Sequence, residues 1–294
     1  MVEKIKKRVL ITGSRGILGR ALVERLKAKY KIAALTHKNC DITDSKKVAA
    51  IFARFKPEIV IHSAACTDVD ECQRDPRKAY AVNAQGAVNI AKSCASLGAI
   101  LIYISTDYVF SGKKKTPYRE TDATGPLSIY AKSKLMAEKS VRRLVKRHII
   151  VRTSWIFGKG RKGFLNNVLS WAKSKKRLKI VSDKYSSPTS ADDLAAALDR
   201  IIIRMGGNGW KDRFFGTYHI TSSGFCSWYG WARYALKNVK AKVRLEPIGM
   251  AQMGFAARRP PFSALDNSKY KKTFGIGLRP WQKAVKEYIK CVCN

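Results

Sequence analysis

The chain has 294 residues, 46% of them hydrophobic, so it is long enough to bury one large core or two smaller ones. Its 58 lysines and arginines against 21 acids give a formal net charge of +37 at pH 7. No apolar run approaches the ~18 residues of a transmembrane helix, and no zinc-finger, basic-zipper or RNA-binding motif accompanies the cations, which argues against a membrane-spanning protein and against a specific nucleic-acid reader.

The first predicted element is a strand that ends in a glycine-rich turn. The apolar run 8–12 predicts the strand, and the spaced apolar residues of 18–30 predict a helix directly after it. The spacing G-x-x-G-x-x-G is one residue longer than the G-x-G-x-x-G dinucleotide fingerprint. Glycines there allow a tight turn, and the helix N-terminus offers N–H groups to a pyrophosphate. We therefore predict a cofactor site made of Gly13, Ser14, Arg15, Gly16, Ile17, Leu18 and Gly19.

The end of the second strand bears on the choice of cofactor. The strand predicted at 31–35 runs into Thr36-His37-Lys38 without an acid for the ribose hydroxyls of NAD. Lys38 and Arg15 are cations that suit a 2′-phosphate, so the pattern favours NADPH, with NADH as the alternative. Asp41 and Ile42 follow and are candidates to fix the adenine ring, although Asp41 equally suits the N-cap of the next helix.

Strands and helices alternate as far as about residue 155. We predict further strands at 58–62, 100–104 and 148–152, and helices near 44–55, 76–97 and 127–147. The strands are nearly continuous apolar runs, as in parallel sheets covered on both faces. This alternation predicts an α/β fold with a doubly wound parallel sheet of the Rossmann type.

The pattern loosens after residue 155. We predict helices at 164–174, 191–204 and 227–237, strands at 178–181 and 217–221, and a last helix starting near Pro280. The stretch 249–262 lacks periodicity and holds Arg258-Arg259-Pro260-Pro261, which indicates a binding loop. We assign 1–156 and 184–221 to the cofactor-binding domain, and 157–183 and 222–294 to a smaller substrate domain.

Two side chains four residues apart suggest acid–base chemistry. Tyr130 and Lys134 fall on one face of the helix predicted at 127–147. A cation beside a phenol favours the phenolate and so tunes a proton donor. The hydroxyl of Thr106, at the end of an earlier strand, is placed to share the same substrate oxygen.

Ordered sequence blocks resemble the dTDP-4-dehydrorhamnose reductases, a family of extended short-chain dehydrogenases/reductases. The likeness runs from residue 8 to about residue 290. Beside the glycine turn, the blocks are CDITD at 40–44, HSAACTDVDECQRDP at 62–76, VNAQGAVNIA at 82–91, ISTDYVFSG at 104–112, YAKSKLMAE at 130–138, VRTSWIFG at 151–158, SSPTSADDLA at 186–195 and ARRPPFSALD at 257–266.

The resemblance implies reduction of the C4 ketone of dTDP-4-dehydro-6-deoxy-L-mannose to dTDP-L-rhamnose by a nicotinamide hydride. It implies that Tyr130 protonates the oxygen, that Lys134 lowers the pKa of the tyrosine and holds the nicotinamide ribose, and that Thr106 bonds the same oxygen. The remaining implied contacts are Asp107 and Trp155 to the sugar, Arg259-Pro260 and Ser263 near the nucleotide diphosphate, and Ala64 and Ala65 near the cofactor.

Alternatives come from related proteins. Epimerase–reductases of similar sequence carry a cysteine where this chain has Asp107, so we expect reduction without epimerisation. A UDP-sugar 4-ketoreductase remains open, because the base is read by loop geometry. The non-catalytic regulatory subunit of methionine adenosyltransferase resembles the same reductases, but this chain keeps the threonine, the tyrosine and the lysine.

The remaining expectations concern partners and location. The basic surface would attract a doubly charged nucleotide-sugar as well as other polyanions. Seven cysteines, an odd number without a C-x-x-C motif, predict reduced thiols and a cytoplasmic location. A homodimer is expected, without a bridging metal, because Glu287 is the only acid of the tail 281–294.

Overall fold

A computed structural model of the protein describes residues 6–160, 163–206 and 212–293. The strands are β1 (Arg8–Thr12), β2 (Lys31–Leu35), β3 (Ile59–His62), β4 (Ile100–Thr106), β5 (His148–Thr153), β6 (Ile156–Phe157), β7 (Arg177–Val181), β8 (Tyr185–Ser186), β9 (Thr189–Ser190), β10 (Gly216–His219), β11 (Cys226–Ser227) and β12 (Arg244–Ile248). The α-helices are α1 (Ile17–Leu26), α2 (Ser45–Phe55), α3 (Val69–Arg74), α4 (Pro76–Tyr80), α5 (Gly86–Leu97), α6 (Ile129–Leu144), α7 (Phe164–Ser174), α8 (Ala191–Gly206), α9 (Trp228–Asn238), α10 (Ser268–Phe274) and α11 (Trp281–Cys293).

Six parallel strands form the central sheet in the order β10-β5-β4-β3-β1-β2. The order reverses between β1 and β3, because the chain runs outward from β1 to β2 and then returns to β3 on the other side. Ligands of such sheets bind at the carboxyl ends of the strands where the order reverses. The predicted doubly wound Rossmann sheet is confirmed.

Apolar layers cover both faces of the sheet. On one face, α1 and α8 pack on residues such as Val9, Ile61 and Ile102. On the other, α2, α5 and α6 pack on residues such as Leu10 and Leu101. Successive strand residues point to opposite faces, and both faces are buried, so the strands are continuously apolar.

The remaining elements form a smaller unit around aromatic side chains. β7 and β12 pair in parallel, and α7, α9 and α11 pack through a cluster that includes Trp231 and Trp281. The division into two domains stays a prediction, and its residues 1–5, 161–162, 207–211 and 294 lie outside the described part of the chain. Tyr270 and Phe274, from the range predicted for the substrate domain, pack instead with the cluster under the central sheet.

Several elements differ from their predicted bounds. The helix predicted at 76–97 is interrupted by a π-helical turn at Ala81–Gln85, where buried Asn83 bonds the backbone of Cys66. Helix α3 was missed because it is only six residues long and polar; its N-cap Asp68 accepts from two backbone N–H groups. Strand β12 was missed because it is a half-exposed edge strand containing Pro247. Helix α11 begins directly after Pro280, as predicted.

No helix of the described residues is long and apolar enough to cross a bilayer.

Candidate active site

The backbone packs so closely around the turn after β1 that Gly13 and Gly19 have no room for a side chain. A Cβ on Gly13 would lie 2.8 Å from the backbone N of Ala64, and one on Gly19 would lie 2.2 Å from the carbonyl of Gly13. Gly13 also has φ +68°, in the left-handed region. Gly16 caps α1 without a side-chain acceptor, so first-turn N–H groups point out of the turn. This cradle fits a dinucleotide diphosphate.

The rim of the turn carries the two cations predicted for the cofactor. Arg15 and Lys38 are both exposed, at the ends of β1 and β2. The carboxylate of Asp41 accepts from the backbone N–H of Thr43 at 2.9 Å and from its hydroxyl at 2.8 Å. Asp44, not Asp41, is the N-cap of α2, so the capping alternative for Asp41 is wrong.

The segment after β3 closes the cofactor side of the site. Ala64 donates its N–H to the hydroxyl of Thr12 at 3.2 Å, and that hydroxyl pairs with Nδ1 of His62 at 2.7 Å. Burial lowers the pKa of His62 to about 3, so its imidazole is neutral and acts as a packed hydrogen-bonding group. Ala65 follows, half-buried, and Ile42 is buried among the residues below β2.

Tyr130 and Thr106 meet at the carboxyl end of β4. Tyr130 is the second residue of α6, whose N-cap Ser128 accepts from the N–H of Ala131. Burial raises the pKa of Tyr130, and a hydrogen bond with the hydroxyl of Thr106 opposes that rise. The phenol is therefore protonated at neutral pH, with a second hydroxyl beside it.

Lys134 is buried one helical step beyond Tyr130 on α6. Its side chain is 3% exposed, and its ammonium donates to the carbonyl of Ile104 at 2.7 Å while lying 4.2 Å from the ring centroid of Tyr103. Burial lowers the pKa of Lys134 to about 7, opposed by the charge of Glu138. Burial is the largest influence on both groups, and an effect of Lys134 on the pKa of Tyr130 stays a prediction.

Glu138 was missed by the sequence reasoning. It lies one helical step beyond Lys134 on the same face of α6, and its carboxylate is fully buried. It accepts from Nε of Arg152 at 2.9 Å, from Nη2 of Arg152 at 2.7 Å and from the hydroxyl of Ser105 at 2.6 Å. Burial acts to raise the pKa of Glu138, but the hydrogen bonds and charge of Arg152 outweigh it, so the net pKa is lowered.

Asp107 is held from three sides. Its Oδ1 accepts from the hydroxyl of Thr106 at 3.1 Å, and its Oδ2 accepts from Ser186 at 2.9 Å and from Ser263 at 2.6 Å. Ser263 is fully buried, and its hydroxyl ties the loop after Pro261 to Asp107. Its place beside the nucleotide diphosphate stays a prediction. Burial raises the pKa of Asp107, and the charge of Lys184 opposes that rise.

Lys184 is a second buried cation that the sequence reasoning missed. Its ammonium donates to the carbonyl of Pro260 at 2.8 Å and lies 4.6 Å from the ring centroid of Tyr108 and 5.8 Å from that of Trp155. Burial lowers its pKa to about 8. In the sequence it is one of many lysines, and only the fold distinguishes it.

An ion pair of Arg259 holds the binding loop predicted at 249–262 in place. Arg259 forms a two-pronged ion pair with Asp70 of α3, at 3.1 and 2.7 Å. Its guanidinium also lies 3.6 Å from the ring centroid of Phe255. Arg259 therefore fixes the loop over α3 in addition to carrying charge.

Trp155 forms part of an aromatic wall. It stacks on Trp231 with ring centroids 5.7 Å apart and planes within 7°. Its backbone has φ +43°, a strained conformation for a bulky residue. Its indole N–H is buried and meets no acceptor within the described residues. Strain and an unpaired donor together are features of binding sites.

Comparison with protein families and curated proteins gives consistent matches. The model of the RmlD substrate binding domain matches residues 7–293. The chain is 37% identical to the spore coat polysaccharide biosynthesis protein SpsK of Bacillus subtilis, over 96% of this chain and 97% of that protein. It is 34% identical to a dTDP-4-dehydrorhamnose reductase of Sinorhizobium fredii, over 96% of both chains.

Solved structures agree over nearly the whole chain. A dTDP-4-dehydrorhamnose reductase of Clostridium acetobutylicum is 36% identical, with a TM-score of 0.92 over 98% of this chain and 100% of that chain. The dTDP-4-dehydrorhamnose reductase of Bacillus anthracis, solved in complex with NADP, is 33% identical, with a TM-score of 0.93 over the same shares.

The buried ammonium of Lys134 predicts a pH dependence of stability. The pKa of Lys134 is about 7 in the folded chain and about 10.5 in the unfolded chain. Between pH 7 and pH 10.5, Lys134 therefore carries a proton in the unfolded chain that it has released in the folded chain. Stability due to this group therefore rises with pH across that window. Relative to Lys134→Met, the free energy of unfolding of the wild type should rise by up to about 4 kcal/mol from pH 7 to pH 10, measured by urea unfolding. The exposed Lys139→Met of the same helix is the control, and equal pH profiles for all three proteins would contradict the assignment.

Proposed function

The chain belongs to the family of the RmlD substrate binding domain, and we propose that it reduces the C4 ketone of dTDP-4-dehydro-6-deoxy-L-mannose to dTDP-L-rhamnose with NADPH. It is an NAD(P)H-dependent oxidoreductase with a nucleotide-sugar substrate. The observation that carries the proposal is the hydrogen bond between a protonated Tyr130 and the hydroxyl of Thr106 at the carboxyl end of β4, on the same edge of the parallel sheet as the glycine turn after β1.

The glycine cradle and the segment after β3 would hold the cofactor. First-turn N–H groups of α1 would bind the diphosphate, with Ala64 and Ala65 packed beside it and Asp41 and Ile42 near the adenine. The bound cofactor supplies the hydride. Lys134, already fixed by the carbonyl of Ile104, would present its remaining ammonium hydrogens to the nicotinamide ribose.

Tyr130 would supply the proton. A phenol with a raised pKa stays protonated at neutral pH, as a donor must before the ketone oxygen acquires charge. Thr106 would hold the same oxygen and so orient the carbonyl. Positioning of this kind contributes a large share of the rate acceleration, because the reacting atoms are already in place.

Aromatic and cationic groups would hold the sugar-nucleotide. Trp155 would line the sugar with its unpaired indole N–H, and Arg259 would face the diphosphate from its anchor on Asp70. Asp107, whose oxygens already accept from three hydroxyls, would shape the pocket near the sugar. A homodimer and a cytoplasmic location stay predictions.

Replacing the proposed proton donor tests the mechanism. With dTDP-4-dehydro-6-deoxy-L-mannose supplied by coupled upstream enzymes, Tyr130→Phe should lower the rate of NADPH oxidation by ~10²–10⁴-fold, because the proton donor is lost. NADPH affinity, measured by fluorescence, should change little. Tyr229→Phe is the matched control, because its ring packs with the cluster between α7, β7 and α9. Full activity in Tyr130→Phe, or no turnover by the wild type, would contradict the proposal.

The cations on the rim test the choice of cofactor. If Arg15 and Lys38 meet the 2′-phosphate, the double variant Arg15→Ala/Lys38→Ala should lose most of its preference for NADPH over NADH. We expect a loss of at least about tenfold in the ratio of kcat/KM values, since each charged hydrogen bond contributes about 1.5–3 kcal/mol. Arg54→Ala removes an exposed cation of α2 and should leave the ratio unchanged. An unchanged ratio in the double variant would refute the assignment.

A further inference from the structure

Two cysteines lie side by side next to the proposed proton donor. The sulfur atoms of Cys66, half-buried after β3, and Cys72, buried on α3, are 3.3 Å apart. The thiol of Cys72 also lies 3.5 Å from the carbonyl oxygen of Cys66. A disulfide requires sulfur atoms about 2.05 Å apart, so an approach of little more than 1 Å closes the bond.

The pair is connected to helix α6 by hydrogen bonds. Asn83 accepts from the N–H of Cys66 at 2.8 Å and donates to its carbonyl at 3.1 Å. The same amide donates to the hydroxyl of Ser133 at 3.1 Å, and that hydroxyl donates to the carbonyl of Tyr130 at 2.8 Å. Movement of Cys66 is therefore transmitted to the turn of α6 that carries Tyr130.

The segment between the cysteines also holds the loop over the site. Asp70 lies between Cys66 and Cys72 and forms the two-pronged ion pair with Arg259. It accepts from the N–H of Ala257 as well, at 2.9 Å. A bond that shortens the segment 66–72 would shift Asp70 and with it the anchor of the loop.

We propose that Cys66 and Cys72 form a redox-active dithiol that closes to an intramolecular disulfide and lowers turnover reversibly. The dithiol chemistry stands on geometry alone, whereas its effect on turnover rests on the proposed function. The charged groups that bear on the thiols are two carboxylates, Asp68 at the N-cap of α3 and Glu71 on α3, and the ammonium of Lys78. The neutral phenol of Tyr130 lies beside them.

The oxidation is a pair of thiol–disulfide exchanges with a low-molecular-weight disulfide. The thiolate of Cys66 attacks one sulfur of the disulfide, forms a mixed disulfide and releases the first thiolate, which takes up a proton. The thiolate of Cys72 then attacks the sulfur of Cys66 and releases the second. Two protein thiols lose two electrons and two protons, and one small disulfide is reduced to two thiols.

Exposure sets the order of the two steps. Cys66 is the more exposed residue of the two, whereas Cys72 is buried, and burial raises the pKa of its thiol. Cys72 is therefore the resolving residue: it attacks a neighbouring sulfur and does not need to meet the oxidant.

Peptide mapping tests the dithiol without reference to activity. The protein is incubated with oxidised glutathione, and its free thiols are then blocked. The mass of the tryptic peptide 55–74, which holds both cysteines, is measured by mass spectrometry. We expect the unblocked peptide lacking two hydrogens in the wild type and in Cys291→Ser, and a glutathione adduct on Cys66 in Cys72→Ala. Free thiols in peptide 55–74 when the exposed Cys291 is already modified would overturn the proposal, as would a persistent adduct on Cys66 in the wild type.

Turnover measured on the same samples tests the consequence. Oxidation should lower the rate of NADPH oxidation by the wild type at least about tenfold, because displacements near 1 Å are enough to spoil the reacting geometry. Dithiothreitol should restore the rate, and Cys66→Ser should be insensitive to oxidised glutathione. An oxidised wild type of full activity would overturn the regulatory part. A reduced wild type without any turnover would instead refute the proposed function. The peptide masses would still show whether Cys66 and Cys72 form a disulfide.

Discussion

The buried ion pair between Glu138 and Arg152 is the interaction on which the site depends. It joins α6 to β5, and the bond from Ser105 adds the end of β4. Thr106 follows Ser105, and Lys134 and Tyr130 lie one and two helical steps before Glu138. Three separate parts of the chain thus meet at one carboxylate. Removing Glu138 should cost about 3–5 kcal/mol, because the charge of Arg152 is then left buried and unpaired. Removing Arg152 leaves Glu138 its second partner, Arg142, at 2.8 Å.

Burial, more than the attraction of charges, sets the chemistry of the neighbouring groups. It raises the pKa of Tyr130 and lowers that of Lys134, and the pairs with Thr106 and Glu138 oppose each shift without reversing it. The result is a proton held on the phenol. Burial also raises the pKa of Asp107, and the oxygens of its carboxylate accept hydrogen bonds from three hydroxyl groups. A carboxylate held in this way is poorly placed to remove a proton beside the ketone, which agrees with reduction alone.

Local signals in the sequence predicted the central sheet well. The strand at 8–12 matches its predicted bounds, because a parallel strand buried on both faces is a continuous apolar run. The strand at 31–35 also matches, although it is an edge strand in which only Leu35 is buried. The glycine turn was also predictable, since close backbone approach leaves no alternative to glycine at 13 and 19. The boundaries of the long helices were less accurate: α6 ends at Leu144, three residues before its predicted end.

What the sequence did not reveal depends on long-range contacts. Ser186 and Ser263 are 77 residues apart and meet at Asp107. Lys184 donates to the carbonyl of Pro260, 76 residues further along the chain. Nothing local distinguishes Lys184 from the other cations of a very basic chain. Glu138 had a usable signal, because Tyr130, Lys134 and Glu138 repeat at intervals of four on one helix face.

We propose that this site adds hydride to a C4 ketone and does not exchange the hydrogens of the neighbouring carbons. The most direct measurement is NMR of the product formed in heavy water with NADPH. We expect protium at C4, delivered from the cofactor, and protium retained at C3 and C5. Solvent deuterium at either neighbouring carbon, above the level in a mixture without enzyme, would contradict it.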